Sequence, residues 1–198
     1  MQKGGRAEDA PVAGRSFMDF DFIELCKKRE SCRSYTGEPV AEEALRTIVE
    51  AGRLAPSACN SQPWHFAVVS GGESREGVRR AVQVFGRNKF TDKASAFVVI
   101  FREKPNYPER VGEVLLGREF SAIDIGITTA NMTLAAASLG VGSCILGMFD
   151  EGDIKKALGL SKKDKSRVEL VLALGMPASD EVRKKQRKPV EEVAVFVK

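Results

Sequence analysis

The sequence predicts a single globular domain in which helices and strands alternate. Its 198 residues, 43% hydrophobic and 29% charged, are enough to bury roughly 70% of the unfolded surface in one core. Windows with the apolar spacing of helices alternate with short, β-branched apolar runs. An aromatic content of 7% and a balance of 31 basic against 27 acidic residues exclude a disordered or fibrous chain. We expect residues 17–198 to form this domain, after a mobile N-terminal arm at residues 1–16.

Helices are predicted where apolar residues recur every three or four positions. The predicted helices span residues 19–28, 41–54, 75–85, 121–139 and 150–157. Asp19 or Asp21 can cap the first of them, and Asp150 the last. Gly140 suits the left-handed residue that ends the fourth. The uncharged run 125–149 is long enough to suggest a membrane span, but its Thr, Asn, Ser and Gly residues favour a buried helix, a turn and a strand.

Strands are predicted at residues 64–69, 96–101, 143–148 and 168–174, and from a weak alternation also at 193–197. The strand at 64–69 has the composition of a buried strand. Alternating helices and strands could form a doubly wound nucleotide-binding fold, but no G-x-G-x-x-G follows a strand and no G-x-x-x-x-G-K-[ST] occurs. Scattered side chains would therefore have to hold the phosphate of any bound nucleotide.

Residue counts exclude or disfavour several function classes. The chain has one histidine, His65, and four cysteines without a C-x-x-C pair, which disfavours a metal site. The net charge is +4, but five basic residues lie within residues 183–188, so the remainder is nearly neutral and no broad nucleic-acid surface is expected. The N-terminal residues lack the apolar core of a signal peptide or membrane anchor. We expect a cytoplasmic protein with reduced thiols.

Two charged segments could bind an anion. Arg29, Ser31 and Arg33 follow the first predicted helix. The arginines could simply complement the carbonyl end of the helix dipole, or they could form a phosphate clamp with the Ser31 hydroxyl. The second segment, residues 185–189, is basic, and most such runs are solvated faces.

A third segment, residues 55–64, is a loop rich in Pro, Ser, Asn and Gln between a helix and a strand. Turn chemistry explains part of this composition. However, ten residues with two amide side chains and a tryptophan exceed what a tight connection needs, and such loops often contact ligands.

Taken together and in this order, these segments resemble the FMN-dependent nitroreductase family. The matching motifs are Arg29-x-Ser31-x-Arg33, Ala55-Pro56-Ser57-x-x-Asn60-Ser61-Gln62-Pro63-Trp64, Gly140-Val141-Gly142-Ser143-Cys144-x-x-Gly147 and Lys185-x-Arg187-x-Pro189. The second motif is the most specific, and the resemblance runs from about residue 20 to the C-terminus. It implies an α+β fold with a mostly antiparallel sheet wrapped by helices, and an interlocked homodimer with FMN at the subunit interface.

The resemblance implies which residues hold the polar parts of the flavin. Arg29, Ser31, Lys185 and Arg187 match positions that bind its phosphate, and Arg33 matches a position facing the pyrimidine edge. This agrees with the chemistry, because a doubly negative phosphate favours arginine and lysine. A cation at the pyrimidine edge would stabilise the anionic reduced flavin.

The resemblance also implies contacts to the flavin ring. Ser57 and Asn60, with Pro56 beside them, match residues that reach the flavin from the partner subunit. Leu146 and Gly147 match the backbone beneath the ring, near N5. No catalytic side chain is implied, because the flavin carries the chemistry.

The sequence departs from the family pattern in two places. Residues 104–120 are short where many relatives insert a helical excursion over the substrate, so we expect a more open or differently covered pocket. The family's polar flavin contacts between the first two strands fall among Arg87, Asn88 and Lys89, which are candidates only.

The expected function is reduction of small electron-poor acceptors, such as nitroaromatics or quinones, with NADH or NADPH as co-substrate in a ping-pong mechanism. A reductive dehalogenase, an enzyme that destroys its own flavin, a flavin carrier or sensor, and an RNA-associated module remain alternatives. His65 is expected to be a packed, hydrogen-bonded structural residue, because hydride transfer to flavin needs no side-chain base.

Overall fold

The structure is a computed structural model that describes residues 21–161 and 164–197. Its helices are α1 (Phe22–Lys28), α2 (Glu42–Arg53), α3 (Gly72–Ala81), α4 (Tyr107–Leu116), α5 (Phe120–Ser138), α6 (Glu151–Ala157) and α7 (Val190–Val193). Its strands are β1 (Trp64–Val69), β2 (Ala96–Arg102), β3 (Gly142–Leu146) and β4 (Arg167–Gly175). The predicted arm at residues 1–16 and the predicted cap Asp19 lie outside the described residues.

The four strands form one sheet in the order β1-β2-β4-β3, with every pair antiparallel. Both faces of the sheet are covered by helices. On β2, Phe97, Val99 and Phe101 face the core that contains α3 and α6 residues, whereas Val98 and Ile100 face the core that contains α2 and α5 residues. This explains why β2 is apolar at nearly every position. The predicted α+β fold with an antiparallel sheet is confirmed.

Helices α2 and α5 approach each other closely beneath the sheet. A Cβ atom at Gly52 would lie 2.4 Å from Cε of Met132, so this contact requires a glycine. The Thr128 hydroxyl donates to the Gly52 carbonyl oxygen at 2.7 Å. Helix α5 is therefore fixed in the centre of the domain. No helix among the described residues combines the length and apolarity needed to cross a membrane.

The local signals that delimit the helices are confirmed where the structure describes them. The Asp21 carboxylate accepts from the Ile23 and Glu24 amides at the start of α1, and Asp150 accepts from the Asp153 amide at the start of α6. Gly140 follows α5 with a φ of +71°. These signals act within one helical turn, so the sequence is sufficient to place them.

The strand predicted at 64–69 is confirmed as β1 but its predicted burial is wrong, and the strand predicted at 193–197 is wrong. β1 is half-exposed rather than buried, because it is an edge strand with β2 on one side only. Residues 193–197 do not form a strand: Val193 ends α7, and the valines and Phe196 after it are exposed and pair with no described strand. An alternating apolar pattern does not make a strand unless a neighbouring strand is available for pairing.

Two helix predictions also need correction. The helix predicted at 75–85 begins at Gly72 and ends at Ala81, and the chain then turns through Phe85 and Asn88, both with positive φ. The segment 104–120 contains the ten-residue helix α4, which was not predicted. Asn106 caps α4 and Gly117 ends it in the left-handed conformation, so the sequence did hold both signals.

Candidate functional site

The first predicted site segment lies along β3, at the edge of the sheet. Ser31 forms a parallel bridge with Ser143, and the Cys32 amide donates to the Ser143 carbonyl oxygen at 2.8 Å. Arg29 ends α1, where its amide donates to the Leu25 carbonyl oxygen. The edge of β3 therefore fixes the backbone at Ser31 and Cys32, and Tyr35 is bridged separately to Pro177.

The basic segment near the C-terminus docks against this same backbone. The Lys185 ammonium group donates to the Lys27 carbonyl oxygen in the last turn of α1. Arg183 Nη2 donates to the Ser31 carbonyl oxygen at 2.7 Å. The structure thus places Lys185 at the last turn of α1, directly before Arg29 and Ser31 in the chain.

Arg187 and Arg33 are placed less firmly. The Arg187 guanidinium is exposed, and its one described hydrogen bond is to the carbonyl oxygen of the adjacent Gln186. Burial raises the pKa of the Cys144 thiol, and the positive charge of Arg33 opposes this rise in part. The Arg33 side chain itself is exposed. Burial likewise raises the pKa of Cys32. Both thiols therefore stay neutral and offer no nucleophile.

Leu146 and Gly147 lie where β3 ends. The Leu146 side chain is buried in the core, so only its backbone can meet a ligand. Gly147 is exposed, and a Cβ atom there would have its nearest neighbour, Leu170 Cδ2, at 4.0 Å. A flat ring could therefore approach this backbone closely.

The candidate segment of Arg87, Asn88 and Lys89 adjoins the end of β3. The Asn88 side-chain amide donates to the Val82 carbonyl oxygen at 2.9 Å and to the Met148 carbonyl oxygen at 3.5 Å. Arg87 and Lys89 are exposed next to it. The polar residues that sequence reasoning could not place thus lie beside Gly147.

The loop of residues 54–63, between α2 and β1 and hereafter loop 54–63, carries Pro56, Ser57 and Asn60. The Ser57 hydroxyl oxygen accepts from the Gln62 amide at 2.9 Å, and the Asn60 side-chain oxygen accepts from the Gln62 side chain at 3.3 Å. The Ser57 O–H and the Asn60 side-chain NH₂ therefore remain available as donors to a ligand. Cys59, Asn60 and Gln62 have φ values of 49°, 48° and 49°, a conformation that costs a non-glycine residue roughly 1–2 kcal/mol.

Loop 54–63 does not meet the other site segments within the described chain. None of the described hydrogen bonds or ion pairs joins Pro56, Ser57 or Asn60 to Arg29 or Lys185. A cavity of about 380 Å³ borders the end of α1, and among the predicted site residues Arg29 alone lines it. The predicted residues thus form two separate groups on the described part of one chain.

The expectation of a packed, hydrogen-bonded His65 is wrong. His65 is exposed on the edge strand β1, and its ring lies 6.2 Å from that of Phe101 at an angle of 50°. No described residue hydrogen-bonds to its imidazole. Among the residues that the structure describes, no group of His, Cys, Asp or Glu side chains could hold a metal ion.

Two residues that sequence reasoning did not select take part in this arrangement. Arg183 belongs to the basic segment but lies outside the family motif, and it supplies the contact to Ser31. Asp124 holds loop 54–63 by accepting from the Ala58 amide. The sequence could have indicated Asp124, because it is the only charged residue among the 19 residues of α5.

The chain belongs to the nitroreductase family: residues 26–176 match the profile of that family. A protein of Archaeoglobus fulgidus, provisionally named an NADH dehydrogenase/NAD(P)H nitroreductase, is 31% identical over 80% of this chain and 86% of its own length. The FMN reductase [NAD(P)H] of Bacillus subtilis is 30% identical over 87% of this chain and 72% of its own.

A solved structure extends the likeness to the fold. It is that of a provisionally assigned nitroreductase from Desulfovibrio desulfuricans in complex with FMN. It superposes with a TM-score of 0.72 at 26% identity, covering 91% of this chain and 99% of the other.

Proposed function

We propose that the protein is an FMN-dependent oxidoreductase that uses NADH or NADPH to reduce small electron-poor acceptors, such as nitroaromatics or quinones, by a ping-pong mechanism. One observation carries the proposal: Lys185 docks on the last turn of α1, just before Arg29 and Ser31, and Ser31 is bridged to the strand whose far end leaves the Gly147 backbone open. Relatives whose names include NAD(P)H nitroreductase and FMN reductase support it.

The group at the end of α1 fits a phosphate monoester. Arg29 offers a forked pair of donors, Lys185 a compact charge and Ser31 a hydroxyl, which together suit a small dianion. Arg187 is free to turn toward the same dianion, because its described contact is to its own segment only. These residues would bind and orient the cofactor.

The group at the end of β3 fits a flat, hydrogen-bonding ring. The backbone of Leu146 and Gly147 would lie beneath it, and the Arg33 cation would face its pyrimidine edge. Asn88 holds the chain after Gly147 in place. When bound, FMN supplies hydride acceptance and donation at its ring. The protein's side chains supply binding, orientation and positive charge, and the acceptor's protons come from water.

The active form is proposed to be an interlocked homodimer with two cofactor sites at its interface. Ser57 and Asn60 lie in a loop that makes no described contact with the phosphate-side residues, as expected if they serve the partner's cofactor. The exposed apolar tail, with Val195 at 88%, Phe196 at 81% and Val197 at 91% exposure, is the kind of surface that a partner subunit covers. The four free cysteines suit the reducing cytoplasm.

The purified protein tests this function directly. We expect a yellow dimer that NADH or NADPH bleaches under anaerobic conditions and that a nitroarene or quinone recolours. A yellow protein that stays oxidised with either nucleotide would indicate a flavin carrier instead. A colourless monomer that does not bind added FMN would contradict the proposal.

A further inference from the structure

Two carboxyl groups are buried where α4 and α5 meet loop 54–63. Glu109 of α4 is 1% exposed and Asp124 of α5 is 3% exposed. The Ala58 amide donates to Asp124 at 3.2 Å from Oδ1 and 3.1 Å from Oδ2. Neither oxygen of Glu109 has a hydrogen-bond partner among the described residues. One carboxyl group thus binds the loop, while the other has only the Ser61 hydroxyl nearby, fewer donors than an ionised carboxylate requires.

Helix α4 is oriented by polar contacts with the loop rather than by burial of its apolar face. It buries Glu109 and leaves Val114 and Leu115 78% and 77% exposed. Asn106, which caps the helix, donates from its side chain to the Cys59 carbonyl oxygen at 3.0 Å. The Asn106 amide donates to the Ser61 hydroxyl oxygen at 2.8 Å. Glu109 is held in the interior because α4 is attached to loop 54–63.

The charges around Glu109 and Asp124 disfavour ionisation of both. Burial raises the pKa of Glu109, the Ser61 hydroxyl lowers it in part, and the carboxylates of Asp124 and of Glu113 on α4 raise it further. Burial also raises the pKa of Asp124, opposed by the Ala58 amide, and Glu113 adds to the rise. The Ala58 backbone amide favours the charged form of Asp124, whereas the described chain offers Glu109 no backbone donor.

We propose that Asp124 and Glu109 are positioning residues that act as a carboxyl pair holding one proton. Asp124 carries the negative charge that fixes the Ala58 amide, and Glu109 stays protonated next to Ser61. The pair holds loop 54–63 in its left-handed conformation, and so presents the donors of Ser57 and Asn60 to the cofactor. This inference rests on the proposed function, because it assigns the pair a role in cofactor binding.

Substitution of Asp124 tests the positioning role. Asp124→Ala removes the acceptor of the Ala58 amide, and we expect FMN affinity, measured by quenching of flavin fluorescence, to fall roughly tenfold to a hundredfold. Asp124→Asn keeps an acceptor and should restore binding to within about threefold of the wild type. Thr129→Val is the matched control, because Thr129 is buried on the same helix but donates within it, to Ile125. It should bind FMN normally. If Asp124→Ala binds FMN no differently from the control, and its flavin absorption bands are unshifted, the positioning role is wrong.

Substitution of Glu109 tests, without any cofactor, whether this carboxyl group keeps its proton in the folded protein. A carboxyl group with a raised pKa binds more protons when folded than when unfolded, so its contribution to stability falls as the pH rises above its ordinary value of 4.5. The difference in melting temperature between Glu109→Gln and the wild type should therefore grow, in favour of the variant, as the pH rises above 4.5, and level off once the folded-state carboxyl group ionises. Glu119→Gln is the control, because Arg102 lowers the pKa of that carboxylate and the sign is opposite.

The two proposals fail in different ways. If the melting temperatures of Glu109→Gln and the wild type change in parallel with pH, Glu109 does not keep its proton, whether or not FMN binds. A wild-type protein that binds no FMN would overturn the proposed function and with it the positioning role, while a growing difference in melting temperature would still support the buried pair. If Asp124→Ala does not fold, Asp124→Leu, which keeps the side-chain volume and removes the acceptor, takes its place with the same expected loss of FMN affinity.

Discussion

Arg183 donates from Nη2 to the carbonyl oxygen of Ser31 at 2.7 Å, across 152 residues of sequence. Its Nε also lies 3.2 Å from the Glu30 carboxylate. These contacts fasten the C-terminal basic segment to the backbone after α1, and they bring Lys185 to the phosphate end of the proposed site. We therefore expect Arg183 to affect cofactor binding through the placement of its neighbours.

Replacing Arg183 by alanine should weaken FMN binding moderately. The guanidinium side chain is 58% exposed, so the ion pair itself contributes little and most of the loss comes from the hydrogen bond to Ser31. We expect the dissociation constant of FMN to rise about threefold to tenfold. Glu30→Gln should have a smaller effect that disappears at high salt. Equal affinity in Arg183→Ala and the wild type would mean that the segment docks without this residue.

Replacing both Lys185 and Arg187 by alanine should yield protein that purifies largely without flavin. Each side chain is proposed to make a charge-assisted contact to the phosphate, worth roughly 1.5–3 kcal/mol. Lys184→Ala with Lys188→Ala is the matched control, since it removes two charges from the same segment. The measurement is the ratio of flavin to protein absorbance after purification. If the Lys185→Ala, Arg187→Ala variant purifies with stoichiometric FMN, the basic segment is a solvated surface and does not bind the phosphate.

Mixed dimers should show whether each site draws on both subunits. One parent carries Arg29→Ala and Arg187→Ala, and the other carries Ser57→Ala and Asn60→Ala. If each parent loses FMN binding or activity, co-expression should restore one intact site per mixed dimer, because the two lesions then lie in different sites. Activity of separately tagged, doubly purified dimers is the readout. If the mixed dimers are as inactive as their parents, all four residues belong to a site that is built by one chain.

His65→Gln should keep FMN and most of the turnover. A general acid or base would be worth about 10²–10⁴ in rate, but nothing described orients the imidazole of this exposed residue toward the proposed site. Because the side chain is on the surface, the change in stability should stay within about 0.5 kcal/mol. Stopped-flow measurement of the acceptor half-reaction checks this. If the rate of the acceptor half-reaction falls by two orders of magnitude while FMN binding and the melting temperature stay normal, His65 is catalytic and this prediction is wrong.

Local features of the chain could be predicted because their causes are local. The Asp150 cap and the Gly140 terminator depend on atoms within a few residues, so the helices they delimit were placed almost to the residue. Helix α4 was not predicted, although the sequence contains the signals for both of its ends, Asn106 as the cap and Gly117 as the terminator. The strand predicted at 193–197 failed because pairing is a property of two segments, and apolar alternation in one of them does not supply the other.

The sequence by itself identified which segments carry the chemistry for an anion, Arg29, Ser31 and Lys185 among them, and its motifs carried the resemblance that implies a role for Pro56, Ser57 and Asn60 at a flavin. Only the tertiary structure decided that Lys185 reaches the end of α1, that β1 is an edge strand exposing His65, and that Glu109 and Asp124 are buried against one loop. The physical reason is that exposure, charge and pKa depend on what the folded chain places beside a residue. Those neighbours come from segments tens to more than a hundred positions away.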